Sequence, residues 1–331
     1  MIKFGFIGCG QIAKFHADVI AALRHNITCV SATEGSKNIE NFAKRYAVSG
    51  LYSDWKKMIE EQSPDALVVA ITWNQTENII QKIINHGIPC LVEKPVALSS
   101  YTLQKIISNT AQFHDRVMVG YNRRFYDFIP MVKQALKEKE IISVELNFPE
   151  TLNRLIELKS PEIADYILIY MSSHWLDLLM FVLGDLKVEW MTKKINKRSN
   201  HIEAYNGILQ SSQYNIPIHL QANFNAPSNT SITFNFNDLI YRLCPIEILT
   251  IYRGMTLIEP STENPVRRYI PHIEETYTTD VAYKPGFLKQ MSYFIETYVQ
   301  KIRYDAPCCT LYDALAVTRL CEEIKSFAEI T

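Results

Sequence analysis

Lys3-Phe4-Gly5-Phe6-Ile7-Gly8-Cys9-Gly10-Gln11-Ile12-Ala13-Lys14-Phe15-His16-Ala17 decides how the rest of this chain is read. Phe4, Phe6 and Ile7 give a short apolar strand, and Gly-x-Gly-x-x-Ala follows at once over Gly8 to Ala13. Ile12, Phe15, His16, Val19, Ile20 and Leu23 then recur at helical spacing on one face. This order suits a dinucleotide turn. Gly8 permits the tight bend, Gly10 lets the backbone approach a pyrophosphate, and small Ala13 lets the helix pack on the strand. Gln11 and Ile12 thereby open a helix N-terminus able to hold the anion. The glycines alone are a weak signal; between a strand and a helix, at the head of an alternating β/α run, they favour dinucleotide binding over a merely structural turn.

Composition sets the outer bounds. A chain of 331 residues is longer than one compact core usually supports, so two domains are expected. Lys plus Arg number 34 against 35 for Asp plus Glu, a formal net charge of -1, which argues against a nucleic-acid partner. Seven cysteines without framework spacing suggest a reducing compartment, and Cys308-Cys309 read as core or surface thiols. The first strand leaves no room for a signal peptide, and no apolar run reaches the ~20 residues of a membrane span. A cytoplasmic protein is the expectation. The histidines are scattered, and no metal-ligand cluster is visible.

After the opening unit, Ile27 to Ala32 reads as a second strand. Thr33 stands where a ribose-binding acid is expected, with Glu34 beside it. An acid there favours NAD, whereas Thr33, Ser36 and Lys37 together would hold a 2'-phosphate; the balance leans to NADP. A helix is read from Lys37 to Tyr46. Ala66 to Ile71 is apolar throughout, as a strand covered on both faces should be. Thr72-Trp73-Asn74 follows it, at the carboxyl end where open α/β sheets bind ligands, although the same residues would also start a helix. Pro89 to Val92 forms the next strand and delivers Glu93-Lys94-Pro95. Proline disfavours the helical region for the residue before it, which leaves Lys94 at a strand tip.

Gly-x-Gly-x-x-Ala, Thr72-x-Asn74, Glu93-Lys94-Pro95 and Val119-Gly120-Tyr121-Asn122-Arg123-Arg124-Phe125, in this order and spacing, resemble the Gfo/Idh/MocA family of nicotinamide-dependent oxidoreductases. The resemblance implies that Lys94 meets both cofactor and substrate, with Glu93 beside the cofactor. It also implies that Tyr121, Arg123 and Arg124 border a sugar pocket.

From Tyr126 the pattern changes to a helix, Asp127 to Lys137, followed mostly by strands: 142–148, 188–194, 204–209, 218–224, 232–236 and 239–252. The fold class expected is an α/β Rossmann domain with a parallel sheet, residues 1–121. An α+β domain with a large, mainly antiparallel open sheet follows over 122–331, its last helix able to pack back on the first domain. Tyr170-Met171-Ser172-Ser173-His174-Trp175 precedes an apolar helix face. A lone histidine there is more often a core residue than a catalyst. The resemblance gives His174 a role on the substrate hydroxyl or carbonyl, but the family's usual Asp and Gly are replaced by Tyr170 and Ser172. The histidine has then lost its usual carboxylate, and its pKa and tautomer must be set otherwise. Phe287, Met291, Phe294, Ile295 and Tyr298 form one more amphipathic face. Thr310 and Asp313 suit the cap of a last helix with Ala314, Val317, Cys321, Ile324 and Ala328 inward.

The reading is an NAD(P)-dependent oxidoreductase acting on a ring carbon of a sugar or nucleotide sugar, with Lys94 and His174 as the proton-handling groups. Pro245-Ile246-Glu247 and Tyr283-Lys284-Pro285-Gly286-Phe287 resemble segments of members linked to cell-surface polysaccharide. By the same resemblance a homodimer or homotetramer forms through the C-terminal sheet. Two alternatives stay open: a cofactor- and sugar-binding sensor without catalysis, suggested by Tyr170, and a reductase of a non-sugar carbonyl.

Overall fold

The computed structural model describes residues 1–303 and 308–330. The chain forms two compact units, Met1–Phe125 with Val281–Glu322, and Tyr126–Asp280 with Glu323–Thr331.

The first unit opens with β1 (Lys3–Ile7), α1 (Gln11–Ala22), β2 (Asn26–Ser31), α2 (Ile39–Tyr46), β3 (Gly50–Tyr52) and α3 (Trp55–Gln62). It continues with β4 (Ala66–Val69), α4 (Thr76–Ile84), β5 (Cys90–Val92), α5 (Ser100–Asn109) and β6 (Val117–Val119). Among the described residues its sheet has six strands in the order β3-β2-β1-β4-β5-β6. Every pairing is parallel. Helices that return the chain between parallel strands cover both faces, which is why all four residues of β4 are buried and apolar. The strand order reverses between β1 and β4, and the loops following β1, β2, β4, β5 and β6 all leave from the same edge of the sheet.

Boundaries shift from the sequence reading, and two of the shifts in the first unit bear on the site. The strand ends at Val69, two residues before Ile71, because the chain turns where the Ala70 carbonyl meets Gly8. The helix expected from Lys37 starts at Ile39, after a turn in which the Ser36 amide donates to the Thr33 carbonyl at 3.0 Å.

In the second unit α6 (Ile129–Glu138) leads into β7 (Ile141–Asn147), α7 (Leu152–Leu158) and α8 (Ser173–Leu183). The strands β8 (Leu186–Ile195), β9 (Ile202–Ser211), β10 (Pro217–Asn223), β11 (Ser231–Phe236), β12 (Leu239–Leu243), β13 (Ile248–Ile258) and β14 (Arg268–Thr278) follow, and β15 (Glu329–Ile330) joins from the C-terminal end. The sheet runs β14-β13-β12-β11-β7-β10-β9-β8-β15. It is mainly antiparallel, with parallel pairings of β7 with β10 and of β8 with β15. Along β10, Ile218, Leu220 and Ala222 are buried while His219 and Gln221 are exposed, the alternation of a sheet covered on one face.

The single strand expected over 239–252 is instead a hairpin. Pro245 has no N–H to continue the ladder, and the Cys244 amide donates to the Ile248 carbonyl across the turn at 3.0 Å. The sequence reading also missed β14, whose residues are exposed along both faces and so carry no period-two signal.

The chain then returns to the first unit as α9 (Phe287–Phe294), which lies against α1, and as residues 311–322 of α10 (Leu311–Phe327). Phe287, Met291 and Phe294 are buried, each contributing about 1.5–3 kcal/mol of apolar transfer. A reciprocal cap begins α10: the Asp313 amide donates to Thr310 Oγ1 at 3.1 Å, and the Thr310 amide donates to Asp313 Oδ2 at 2.7 Å. Among the described residues no helix is long and apolar enough to cross a membrane.

Candidate cofactor and active site

The turn after β1 is built for close approach. Gly8 has φ +98°, and a Cβ there would stand 2.2 Å from the Ala70 carbonyl oxygen, so no side chain fits. Gly10 differs: it is the N-cap residue of α1, and a Cβ placed on it would meet nothing within 4 Å. No side chain caps α1, and no acid occupies its first turn. The helix therefore presents the Gln11 and Ile12 end of its backbone, with its partial positive charge, to open space. An anion such as a dinucleotide pyrophosphate fits that arrangement.

Thr33, Glu34 and Lys37 follow β2 and are exposed around a turn with Gly35 at φ +76°. Ser36 Oγ lies 3.7 Å from Cys9 Sγ, which ties this turn to the glycine loop. Thr72, Trp73 and Asn74 occupy the loop between β4 and α4, Thr72 exposed and the others half-buried.

Glu93 and Lys94 follow β5, both half-buried. His16 Nε2, from the second turn of α1, lies 2.7 Å from Glu93 Oε1. The ring is fully buried, and its Nδ1 has no hydrogen-bond partner. With Nε2 facing an acceptor-only carboxylate, that nitrogen is the donor of the pair. Burial alone would raise the Glu93 carboxyl. The hydrogen bond and electrostatic pull of His16, with the Lys94 and Lys284 ammonium groups, outweigh burial and hold the carboxyl below its ordinary value. Lys284 is the residue that reasoning from sequence did not place in the site. Its amine is pushed down by burial and then by Arg123, with Glu93 opposing.

Tyr121 is buried just beyond β6, and its carbonyl accepts from Cys309 Sγ at 3.7 Å. Arg123 and Arg124 lie on the helical turn Asn122–Phe125 but face different surroundings. Arg123 Nη1 donates to Asn122 Oδ1 at 2.7 Å. Arg124 is buried and points at Asp313, with Nη1 3.2 Å from Oδ1.

Tyr170 and His174 belong to the second unit. Tyr170 lies in a π-turn, Leu168–Ser172, that runs into α8, and His174 is buried in the first turn of that helix. Such an insertion swings side chains off the ordinary helical register and is frequent at functional sites. Beneath it Glu150, which no sequence motif singled out, is buried. It accepts from Trp175 Nε1 at 2.8 Å and from Ser172 Oγ at 3.3 Å, tying the end of the π-turn to the first turn of α8. Among the described residues no cluster of His, Cys, Asp and Glu could hold a metal ion.

Residues 2–121 match the family model described as the oxidoreductase family, NAD-binding Rossmann fold. Myo-inositol 2-dehydrogenase of Thermotoga maritima is 22% identical over 190 residues, 56% of this chain and 55% of that protein. The chain spans about half the length of the curated relatives it matches. Among solved structures, KijD10, a 3-ketoreductase from Actinomadura kijaniata in complex with NADP and TDP-benzene, superposes with TM-score 0.75 at 15% identity, covering 99% of this chain and 98% of that one. A dehydrogenase (MviM) from Clostridium difficile superposes with TM-score 0.74 at 17% identity, covering 98% and 99%. At these identities the two structures establish the fold, which both units share with them.

Proposed function

We propose that this chain, whose residues 2–121 match the model of the oxidoreductase family with an NAD-binding Rossmann fold, is an NAD(P)-dependent oxidoreductase acting on a ring carbon of a sugar or nucleotide sugar. The observation that carries the reading is the sheet edge itself. An open, uncapped helix N-terminus stands at the strand-order switch, and the loops of the next strands bring Lys94 beside a carboxylate held by His16. Bound NAD(P) supplies the hydride donor or acceptor.

The chain's own groups bind, orient and manage protons. Gly8, Gly10, Gln11 and Ile12 take the pyrophosphate on backbone amides. Thr33, Glu34 and Lys37 surround the adenosine ribose, and exposed Lys37 supports the lean to NADP. Thr72, Trp73, Asn74 and Glu93 border the rest of the cofactor. Tyr121 and Arg123 address the sugar, while Arg124, committed to Asp313, holds their segment. During oxidation a neutral Lys94 Nζ takes the hydroxyl proton, and during reduction the same atom returns it. A cationic Lys94 would instead stabilise the developing oxyanion. In the second unit we assign Tyr170 to substrate binding and His174 to substrate binding and proton handling.

Support for a nucleotide sugar comes from the fold shared with a protein seen with a TDP ligand. The Tyr283 to Phe287 segment supports a place in cell-surface polysaccharide synthesis. The exposed face carrying His219 and Gln221 supports a homodimer or homotetramer through the second sheet.

The test is a panel of free sugars, sugar phosphates and nucleotide sugars incubated with oxidised or reduced NAD(P), following nicotinamide absorbance. Hydride transfer is expected with one class, and Lys94→Met and His174→Ala should each lower turnover about 10²- to 10⁴-fold with cofactor affinity retained. Tight binding without hydride transfer from any sugar would favour the sensor.

A further inference from the structure

Groups from three parts of the first unit converge on the Glu93 carboxylate. His16 donates to it from α1 at 2.7 Å. Lys94 follows it in the chain, and Lys284, from the segment ahead of α9, acts on it electrostatically. Lys284 is not an ordinary surface lysine. Its Nζ stands 4.8 Å from the centroid of Phe15 and 5.2 Å from that of Phe287, so two aromatic rings hold the ammonium in place. Phe287 in turn lies 4.6 Å from the His16 ring. The next residue is also anchored, since the Pro285 carbonyl accepts from Asn122 Nδ2 at 2.8 Å. The carboxylate occupies the space that a side chain at Gly120 would need: a Cβ there would stand 2.9 Å from it.

We propose that Lys284 is a positioning residue of this site: held between Phe15 and Phe287, it shares the Glu93 carboxylate with His16 and Lys94, so that Glu93 is never the full counter-ion of the Lys94 ammonium. The proposal rests on the reading of Lys94 as the reactive amine. Around one carboxylate stand two lysines, with Arg123 acting on Lys284 from the turn after β6. Arg123 repels Lys284, and both lysines draw on the one carboxylate. Replacing Lys284 by a neutral side chain leaves Lys94 a larger share of Glu93. That change favours the charged amine. The pH at which Lys94 loses its proton must therefore rise, whether the neutral amine acts as base or the cation stabilises an oxyanion.

The experiment is competitive labelling of the full-length, cofactor-free protein with acetic anhydride across pH, with acetylation at Lys94 read by peptide mass spectrometry. Lys284→Met keeps an unbranched stem between the rings, and Lys284→Gln supplies a second neutral side chain should the first fold poorly. The midpoint of Lys94 labelling should move up by about 0.5–1 pH unit in either neutral variant and stay near wild type in Lys284→Arg. The limb of the turnover profile that depends on Lys94 should move with it. An unchanged labelling midpoint in a folded neutral variant overturns the proposal. Full turnover by Lys94→Met would instead remove the catalytic reading of Lys94 and leave the labelling result for Lys284 standing.

Discussion

His16 and Glu93, 77 residues apart in sequence, meet at 2.7 Å beneath the strand-tip lysine, the histidine fully buried and the carboxylate side chain 14% exposed. The glycine loop's helix and the loop after β5 are thereby joined by a charge-assisted hydrogen bond. Because the folded state holds the Glu93 carboxyl below its ordinary value of 4.5, its contribution to stability is fully present above that pH. It is lost as pH falls through the lowered value. Urea unfolding of wild type and Glu93→Gln across this range should show wild type the more stable at neutral pH and the gap closing in acid. A constant gap from neutral pH to pH ~3 would contradict the pairing.

Gly8 and Gly10 should part company on substitution. Gly8→Ala places a methyl 2.2 Å from the Ala70 oxygen at a positive φ, so a loss of more than about 3 kcal/mol is expected in denaturant unfolding. Gly10 has φ -73° and open space, so Gly10→Ala should keep stability within about 1 kcal/mol. Its affinity for NAD(P)H, read by nicotinamide fluorescence, should fall. Equal destabilisation of the two variants would contradict the division of labour.

Lys37→Glu should weaken NADPH about tenfold or more while leaving NADH within about twofold, since its charge faces only a 2'-phosphate in the proposed arrangement. Equal losses for both cofactors in fluorescence titrations would remove Lys37 from the ribose site.

Glu150→Leu strands the Trp175 indole N–H and the Ser172 hydroxyl in buried surroundings. At about 1–3 kcal/mol for each stranded group, thermal unfolding should show a loss of roughly 2–6 kcal/mol. An unchanged unfolding midpoint would mean that the π-turn carrying Tyr170 does not lean on this carboxylate.

Local patterns made much of the first unit legible. The glycine turn, the apolar run of β4 and the Thr310–Asp313 cap each write their physics into a few adjacent residues, and each is found in the fold. The strand-tip residues follow, because in a parallel sheet the loops after successive strands share one edge. What escaped depends on distance or on the absence of burial. The Arg124–Asp313 pair spans 189 residues, and a double arginine gives no sign of which member turns inward. Glu150 belongs to no motif, and its value lies wholly in burial beneath Trp175. The β14 strand lacks alternation because neither face is covered. Lys284 was read within a segment of family type without a mechanism, and its mechanism lies in the rings of Phe15 and Phe287.

The most direct measurement is a crystal structure of the full chain grown with NADP. The account predicts density for the pyrophosphate against the Gln11 and Ile12 amides, the 2'-phosphate at Thr33 and Lys37, and the nicotinamide within hydrogen-bonding reach of Lys94 Nζ. A dinucleotide bound elsewhere, or a Lys94 amine directed into bulk solvent with cofactor in place, would contradict it.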